Sequence, residues 1–399
     1  MSEMKNNRWL RLALGAFALF FAGIIYAWSV IKAPFAAFGW SSSQLGLNYT
    51  ITMSMFCLGG LFSGLLSKKI SPKIRMAASG VMVAGGFVLT ATLSADSPVF
   101  LLYLGYGILA GLGIGIVYNV IISLTSAWFP DKKGVCSGVM MMAFGFSSFV
   151  LGNIAAKLFA DASFGWSKTY ILYGVLIGAV LIVSGLFIRA PKPEELPAVT
   201  KKENAEQQEF TSAQMLKRPS FWQLFLFFIL FSAVGSVALA FGKDILLTGG
   251  LAEGTAVTVA SLLAIFNGFG RLASGALFDA LGIRKTQYLT SAVAIAASGT
   301  ALAGVASGVS ALVVLGVALC AFSYGFSPTV SAAFSNAFYG TKNFSLNYAL
   351  LNLILIPSAF YATLAGKIVD ATGSFVTVFI ILLACSLIGL VDNLTIKKA

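Results

Sequence analysis

The sequence predicts an all-α membrane protein with twelve transmembrane helices in two pseudo-symmetric six-helix bundles, and three observations predict it. Of its 399 residues, 58% are hydrophobic and only 10% are charged. That balance is too apolar for a water-soluble chain, and runs long enough to span a bilayer recur from end to end. The Lys and Arg residues gather in the short connections between these runs. A stretch of the second run returns in the eighth, so the two halves read as copies of one plan.

Taken in order, the spans are expected at about 10–34, 43–66, 76–94, 99–127, 134–158 and 168–188. After a polar stretch they resume at about 220–242, 255–278, 286–305, 309–335, 345–366 and 374–394. The first run follows Lys5, Arg8 and Arg11 and superficially resembles a signal peptide, but it continues too far and lacks a cleavage site, so it is read as the first membrane helix. Twelve crossings put both termini on one side. On that side fall 20 of the 26 basic residues, against 5 on the other, with Arg271 the one that remains. The positive-inside rule then makes the termini cytoplasmic and the protein a multi-pass component of the cell (inner) membrane. Trp9, Trp40, Trp128, Trp166 and Trp222 fall near span ends, as an interfacial belt requires, whereas Trp28 sits inside a span.

The boundaries expected for the halves are 1–189 and 219–399, joined by a cytoplasmic linker over 190–218. That linker is the only long polar stretch, a mixture of Pro, Glu, Lys and Gln that cannot build a core. Its last part, 211–217, reads either as a short interfacial helix or as disordered chain. The repeat aligns residues 60–66 with 271–277 at an offset of 211, with Leu, Ser, Gly and Leu in register. Phe129 and Lys133 match Phe338 and Lys342 at an offset of 209. Gly60 is thereby the counterpart of Arg271. Two halves meeting around a midplane site are a recurrent transporter plan.

Several function classes are excluded by composition. The net charge of +12 could suggest nucleic acid, but its place in short loops assigns it to topology. Cys57, Cys136, Cys320 and Cys385 are scattered singly in apolar segments and no His exists, so neither a metal nor a cofactor is expected. An enzyme is not expected, because no nucleophile is paired with a base. An anion channel would need rings or rows of cations.

Arg271 is the residue that points to function. It lies eight residues from the polar span end at Asp279, roughly 12 Å along a helix. An Arg so deep costs about 2.5 to 3.5 kcal/mol on insertion scales, and such residues usually face a bundle interior or wet cavity. Every carboxylate of the sequence falls in a loop, a tail or near a span end. The anion opposite Arg271 is therefore expected to be the substrate. The alternative is a guanidinium held by backbone carbonyls and by Asn267, one turn away on the same face.

Two further patterns surround it. Residues 275–285 carry Gly275, Asp279 four residues later, Gly282, Arg284 and Lys285, which resembles the loop signature of the major facilitator superfamily. An acid at a helix C-terminus is unfavourable unless it is paired or caps a neighbouring helix, so Asp279 is read as a gating latch. The first-half copy has Lys68 where the acid belongs, and no such latch is expected there. In the fourth span Gly111, Gly113 and Gly115 precede Tyr118 and Asn119. These glycines are packing residues, since no strand precedes them to make a nucleotide loop. Past them, the Tyr118 hydroxyl could reach a central cavity.

Several motifs together resemble the oxalate:formate antiporter family, and the related monocarboxylate transporters share several of them. They are Tyr26 with Trp28 and Val30, the glycines with Tyr118 and Asn119, Trp128-Phe129-Pro130 with Lys132, Lys133 and Gly134, Met215 to Pro219 and Trp222, Arg271, and Asn347 with Tyr348. The resemblance covers essentially the whole chain. It implies the major facilitator fold, a small carboxylate anion as partner, Arg271 as anchor, and Tyr26, Tyr118 and Tyr324 enclosing the substrate, with Tyr348 and Asn352 contributing from the eleventh helix. Two departures matter. Leu355 stands where oxalate carriers of this kind place a Lys, which leaves one strong cation, with Lys32 a second charge only if it does not snorkel. Asn267 stands where animal-type carriers use a proton-coupling Asp.

The expectation is a monomeric secondary active transporter of small monocarboxylates such as lactate, pyruvate or formate, by proton symport or anion exchange. An oxalate or other dicarboxylate exchanger is the alternative within that class. A non-transporting membrane carboxylate sensor is the alternative outside it, disfavoured by the short loops.

Overall fold

A computed structural model describes residues 2–196 and 208–396. The middle of the expected linker, with Lys201 and Lys202, and the terminal Lys397 and Lys398 lie outside the described residues. All regular structure among the described residues is helical. Among the described residues, eleven helices are long and apolar enough to cross a bilayer. One of them, Glu253–Ser307, has 55 residues and breaks at Gly282, whose φ of 74° and ψ of 178° are not helical. At 1.5 Å per residue an unbroken helix of that length would run about 80 Å, more than twice a bilayer core. It is therefore helices eight and nine, and the predicted twelve spans are present.

The chain divides into two compact units, Met1–Asp131 with Ala143–Val199, and Lys132–Met142 with Thr200–Ala399. In the first unit, helix one (Ser2–Ala22) gives way to a tighter 3-10 segment, Gly23–Ala27, and then to two short turns. The expected regular helix to about residue 34 is corrected by this break. At Gly23 a side chain would run into the Phe144 carbonyl oxygen, so close approach to a neighbouring backbone shapes the segment. Helix two (Ser42–Leu65) starts at a capping box, with Ser41 and Gln44 exchanging bonds. Helix three (Pro72–Ala91) starts with Ser71 as cap and Pro72 at the first position. Helix four (Phe100–Ser126) is π-helical over Tyr103–Ala110. Helix five (Lys133–Ala160) begins in the second unit and helix six (Gly165–Phe187) lies in the first.

In the second unit, helix seven (Pro219–Thr248) is longer than expected and kinks at Phe241. Helix ten (Ser310–Tyr339) contains Pro328. Helix eleven is discontinuous: Phe344–Asn352, a turn, then Leu355–Thr372. Pro357 accounts for the turn, because in a continuous helix its ring would meet the Leu353 carbonyl and it has no amide to offer it. Helix twelve is Val376–Thr395. The cluster around Phe221, Phe228, Phe326, Phe334 and Phe338 forms much of the apolar core at the terminus side of this unit. The end of the linker joins that core. Ser212–Leu216 is a short helix capped by Thr211 and Gln214, and Phe210 and Met215 are buried in the cluster.

The repeat is visible in the backbone contacts. In the first unit, side chains at Gly59 and Gly115 would strike the carbonyl oxygens of Leu112 and Phe56. In the second, side chains at Gly270 and Gly325 would strike those of Phe322 and Asn267. Helices two and four thus cross through the same pair of glycines as helices eight and ten. Trp128, two residues past helix four, is 1% exposed, donates to the Arg189 carbonyl at 2.8 Å, and has the guanidinium groups of both Arg11 and Arg189 over its ring.

Candidate functional site

Arg271 is buried in the second unit at 2% exposure, with Asn267 one turn before it at 8%. Its Nε donates to Asn267 Oδ1 at 3.3 Å, and its Nη1 donates to the backbone carbonyl of Met141 at 2.6 Å. The contacts foreseen for a guanidinium held by carbonyl and amide are therefore present. They are compatible with anion capture. The guanidinium is a planar fork that matches a carboxylate with two parallel bonds, and an ionised acceptor binds it more strongly than a neutral carbonyl. A carboxylate arriving here can take Nη1 in exchange for Met141.

Helix eight grips the start of helix five at a second point. The Asp279 carboxylate accepts from the Gly134 and Val135 amides, each at 2.7 Å. These are among the amides that the first turn of helix five leaves without helical partners, and the negative charge suits the positive end of its dipole. Between the two charged residues the backbones touch. A side chain at Gly275 would strike the Gly134 carbonyl oxygen, and one at Gly138 would lie 2.8 Å from the Arg271 carbonyl oxygen. Small residues at both crossing points make this approach possible. Residues 132–142 thus carry both the acceptor for Arg271 and the amides for Asp279.

In the first unit, Tyr26 and Tyr118 come together around Phe144, with ring centroids 5.4 and 5.0 Å from it. Phe56 closes the group at 5.0 Å from Tyr118. Tyr118 is buried, whereas Tyr26 is half-buried on the irregular end of helix one. Lys32 is half-buried at the junction between the two short turns that follow.

The remaining sequence-predicted residues lie in the second unit. Tyr324 is half-buried next to Gly325, with its ring over Gly235 of helix seven. Tyr348 is 1% exposed and stacks on Phe344, with centroids 5.5 Å apart. Asn352, 7% exposed, is the last residue before the break in helix eleven. Leu355 opens the next helical segment and packs against the aromatic cluster of this unit.

Sequence reasoning missed Met141, whose contribution is a backbone oxygen and carries no side-chain signature. It also missed Glu209 as a ligand of backbone amides. A partial signal existed for the helix-five contact: Gly134 and Gly138 stand four apart, the small-residue spacing of close helix pairs.

A sequence profile of the Major Facilitator Superfamily matches residues 12–355. The chain is 28% identical over 360 residues to "Uncharacterized MFS-type transporter YhjX" of Escherichia coli (strain K12), covering 88% of this chain and 86% of that one. It is 25% identical to "Oxalate:formate antiporter" of Oxalobacter formigenes, covering 86% and 81%. It is also 25% identical to "Monocarboxylate transporter 2" of Homo sapiens, covering 84% and 73%. Among solved structures, the transporter FucP in its outward conformation matches with a TM-score of 0.71 at 16% identity, over 98% of this chain and all of that one. That likeness establishes the fold. The protein is a membrane transporter rather than an enzyme, and it belongs to the Major Facilitator Superfamily.

Proposed function

We propose that this protein is a secondary active transporter of small monocarboxylates of the lactate, pyruvate or formate type. It works by alternating access between six-helix bundles over 1–189 and 219–399, as a monomer in the cell (inner) membrane with both termini cytoplasmic. Coupling is by proton symport or anion exchange. The observation that carries the reading is Arg271, a permanent cation 2% exposed in an apolar helix, where one guanidinium matches one carboxylate. Asn267 orients it. Tyr26, Tyr118, Tyr324, Tyr348 and Asn352 enclose the substrate, and Asp279 gates by releasing the start of helix five. Relatives named for monocarboxylates and for oxalate and formate support the same substrate class.

Oxalate exchange is the second reading, supported by the oxalate:formate relative. Leu355 weighs against it. Leaving a second carboxylate unpaired in an apolar pocket costs several kcal/mol, and at about 1.4 kcal/mol per tenfold, oxalate is disfavoured by roughly a hundredfold or more. Radiolabelled uptake into proteoliposomes across mono- and dicarboxylates, with the pH gradient and internal anion varied independently, tests substrate and coupling together. Lactate or formate uptake with weak oxalate competition supports the reading; oxalate competing as well as lactate overturns the selectivity.

A further inference from the structure

The repeat aligns Lys133, where helix five begins, with Lys342, two residues ahead of helix eleven at Phe344, at an offset of 209, and it aligns Asp279 with Lys68 at an offset of 211. Asp279 supplies the carboxylate at the start of helix five. By the same arithmetic the corresponding duty at helix eleven would fall to position 68, where a Lys cannot accept an amide hydrogen bond. A carboxylate is nonetheless present. Glu209, from the end of the linker, accepts from the Thr341 amide at 3.0 Å, the Lys342 amide at 2.8 Å and the Thr341 hydroxyl at 3.1 Å.

We infer that the linker end has taken over the holding of the loop that enters helix eleven, with Glu209, on the Thr341 and Lys342 amides just ahead of Phe344, as the positioning residue for the helix that carries Tyr348 and Asn352. Independent contacts reinforce the carboxylate. The Phe210 amide donates to the Tyr339 carbonyl at 3.1 Å, tying the strap to the last turn of helix ten. The Phe210 carbonyl accepts from Asn343 Nδ2 at 2.9 Å and Asn347 Nδ2 at 3.1 Å, and the Ser212 hydroxyl donates to Asn347 Oδ1 at 2.7 Å. Gly340 makes room for it. Its φ is +83°, in the left-handed region, and a side chain there would strike the Glu209 carboxylate. Three residues of the strap therefore hold the exit of helix ten and the entrance of helix eleven at once. Phe210 and Met215 anchor it in the apolar cluster.

Two carboxylate contacts that the repeat would make alike are thereby separated. The first turn of helix five is held from helix eight, whereas the loop entering helix eleven is held from the end of the linker. Hydrogen exchange on the full-length protein in nanodiscs tests it without any substrate. Glu209→Ala should speed exchange of the Thr341 and Lys342 amides and the first turn of helix eleven by about tenfold or more, with Glu209→Gln intermediate. The Gly134 and Val135 amides should stay unchanged, and Asp279→Asn should give the reverse pattern. Unchanged exchange at 341–344 in Glu209→Ala, or a rise spread evenly through the second unit, overturns the assignment. A second arm rests on the carboxylate reading: lactate uptake by Glu209→Gln should show KM raised severalfold with the melting temperature kept. KM equal to that of the parent overturns the positioning role, while a parent that moves no lactate overturns the carboxylate reading and leaves the exchange result to decide the loop contact.

Discussion

Helix two crosses helix four through Gly59 and Gly115, and helix eight crosses helix ten through Gly270 and Gly325, each glycine lying against the carbonyl oxygen of its partner helix. The two crossings are superposable in sequence, yet the side chains beside them differ. Phe56 and Gly60 of the first unit stand where the second has Asn267 and Arg271. Phe56 packs among Tyr118 and Phe144, while Asn267 accepts from the Arg271 guanidinium. Where backbones touch, no side chain is tolerated and the repeat is kept. Where the side chains leave the contact, the two units have diverged, one toward an aromatic wall and the other toward a buried cation. On the proposed function, this asymmetry gives a carboxylate one anchor rather than two.

The largest expected effect comes from breaking the shared part. Gly270→Ala and Gly59→Ala should each destabilise the protein by about 3 kcal/mol or more, because a backbone oxygen cannot move aside as a flexible side chain can. Gly268→Ala, with its nearest neighbour at 3.8 Å, should be close to neutral. Thermal melts in detergent check this, and a loss confined to one unit would show that the crossings are not equivalent.

Asp279→Asn should cost about 1.5 to 3 kcal/mol, since the carboxylate that receives two amides loses its charge. Lys68→Asn at the equivalent position should cost less, about 0.5 kcal/mol, because the Lys68 side chain cannot accept an amide hydrogen bond. Equal effects at both sites would erase the distinction between the two loops. Smaller still is Asn267→Ala, expected to raise the half-saturating lactate concentration about threefold to tenfold through loss of one bond to a charged group. Unchanged affinity would return Asn267 to packing.

The smallest effect contrasts Arg271 with an arginine outside the spans. Arg189 holds Glu195 through a two-point ion pair, at 2.5 and 2.6 Å. That bond, with the Lys192 amide, pushes the Glu195 carboxyl down to about 2. A depressed carboxylate contributes stability above its ordinary range and loses it as pH falls toward the folded value. Glu195→Gln should therefore lower the melting temperature slightly and constantly from pH 7 to about pH 5, the difference shrinking below about pH 4.5. A difference that grew on acidification would reverse the sign.

Much of this was legible before any coordinates. Hydropathy averaged over some twenty residues is a strong signal, so the twelve spans and the repeat could be read directly. Arg271 and Asn267 stood out because a charge and an amide share one face of an apolar run, and Asp279 because an acid at a helix end demands a partner. The backbone acceptor for Arg271 was not legible, because every residue has a carbonyl and only tertiary packing selects that of Met141. The breaks in helix one and helix eleven were not read from the sequence, which suggested regular spans at both. Pro357 lies beside the second, while the first arises from close approach at Gly23, which sequence spacing does not encode. Glu209 was hidden for another reason: a polar composition describes how the linker behaves alone, not which amides its last residues meet.

On the proposed function, Arg271 holds the substrate carboxylate through the two-point geometry of its guanidinium. Lactate uptake into proteoliposomes by Arg271→Lys tests it most directly, with melting curves to show that the variant is folded. An ammonium keeps the charge and loses the planar fork, so uptake should fall by about a hundredfold or more, equivalent to about 2.8 kcal/mol, at a melting temperature near that of the parent. Uptake by the folded variant at the parent's rate and affinity would contradict the account.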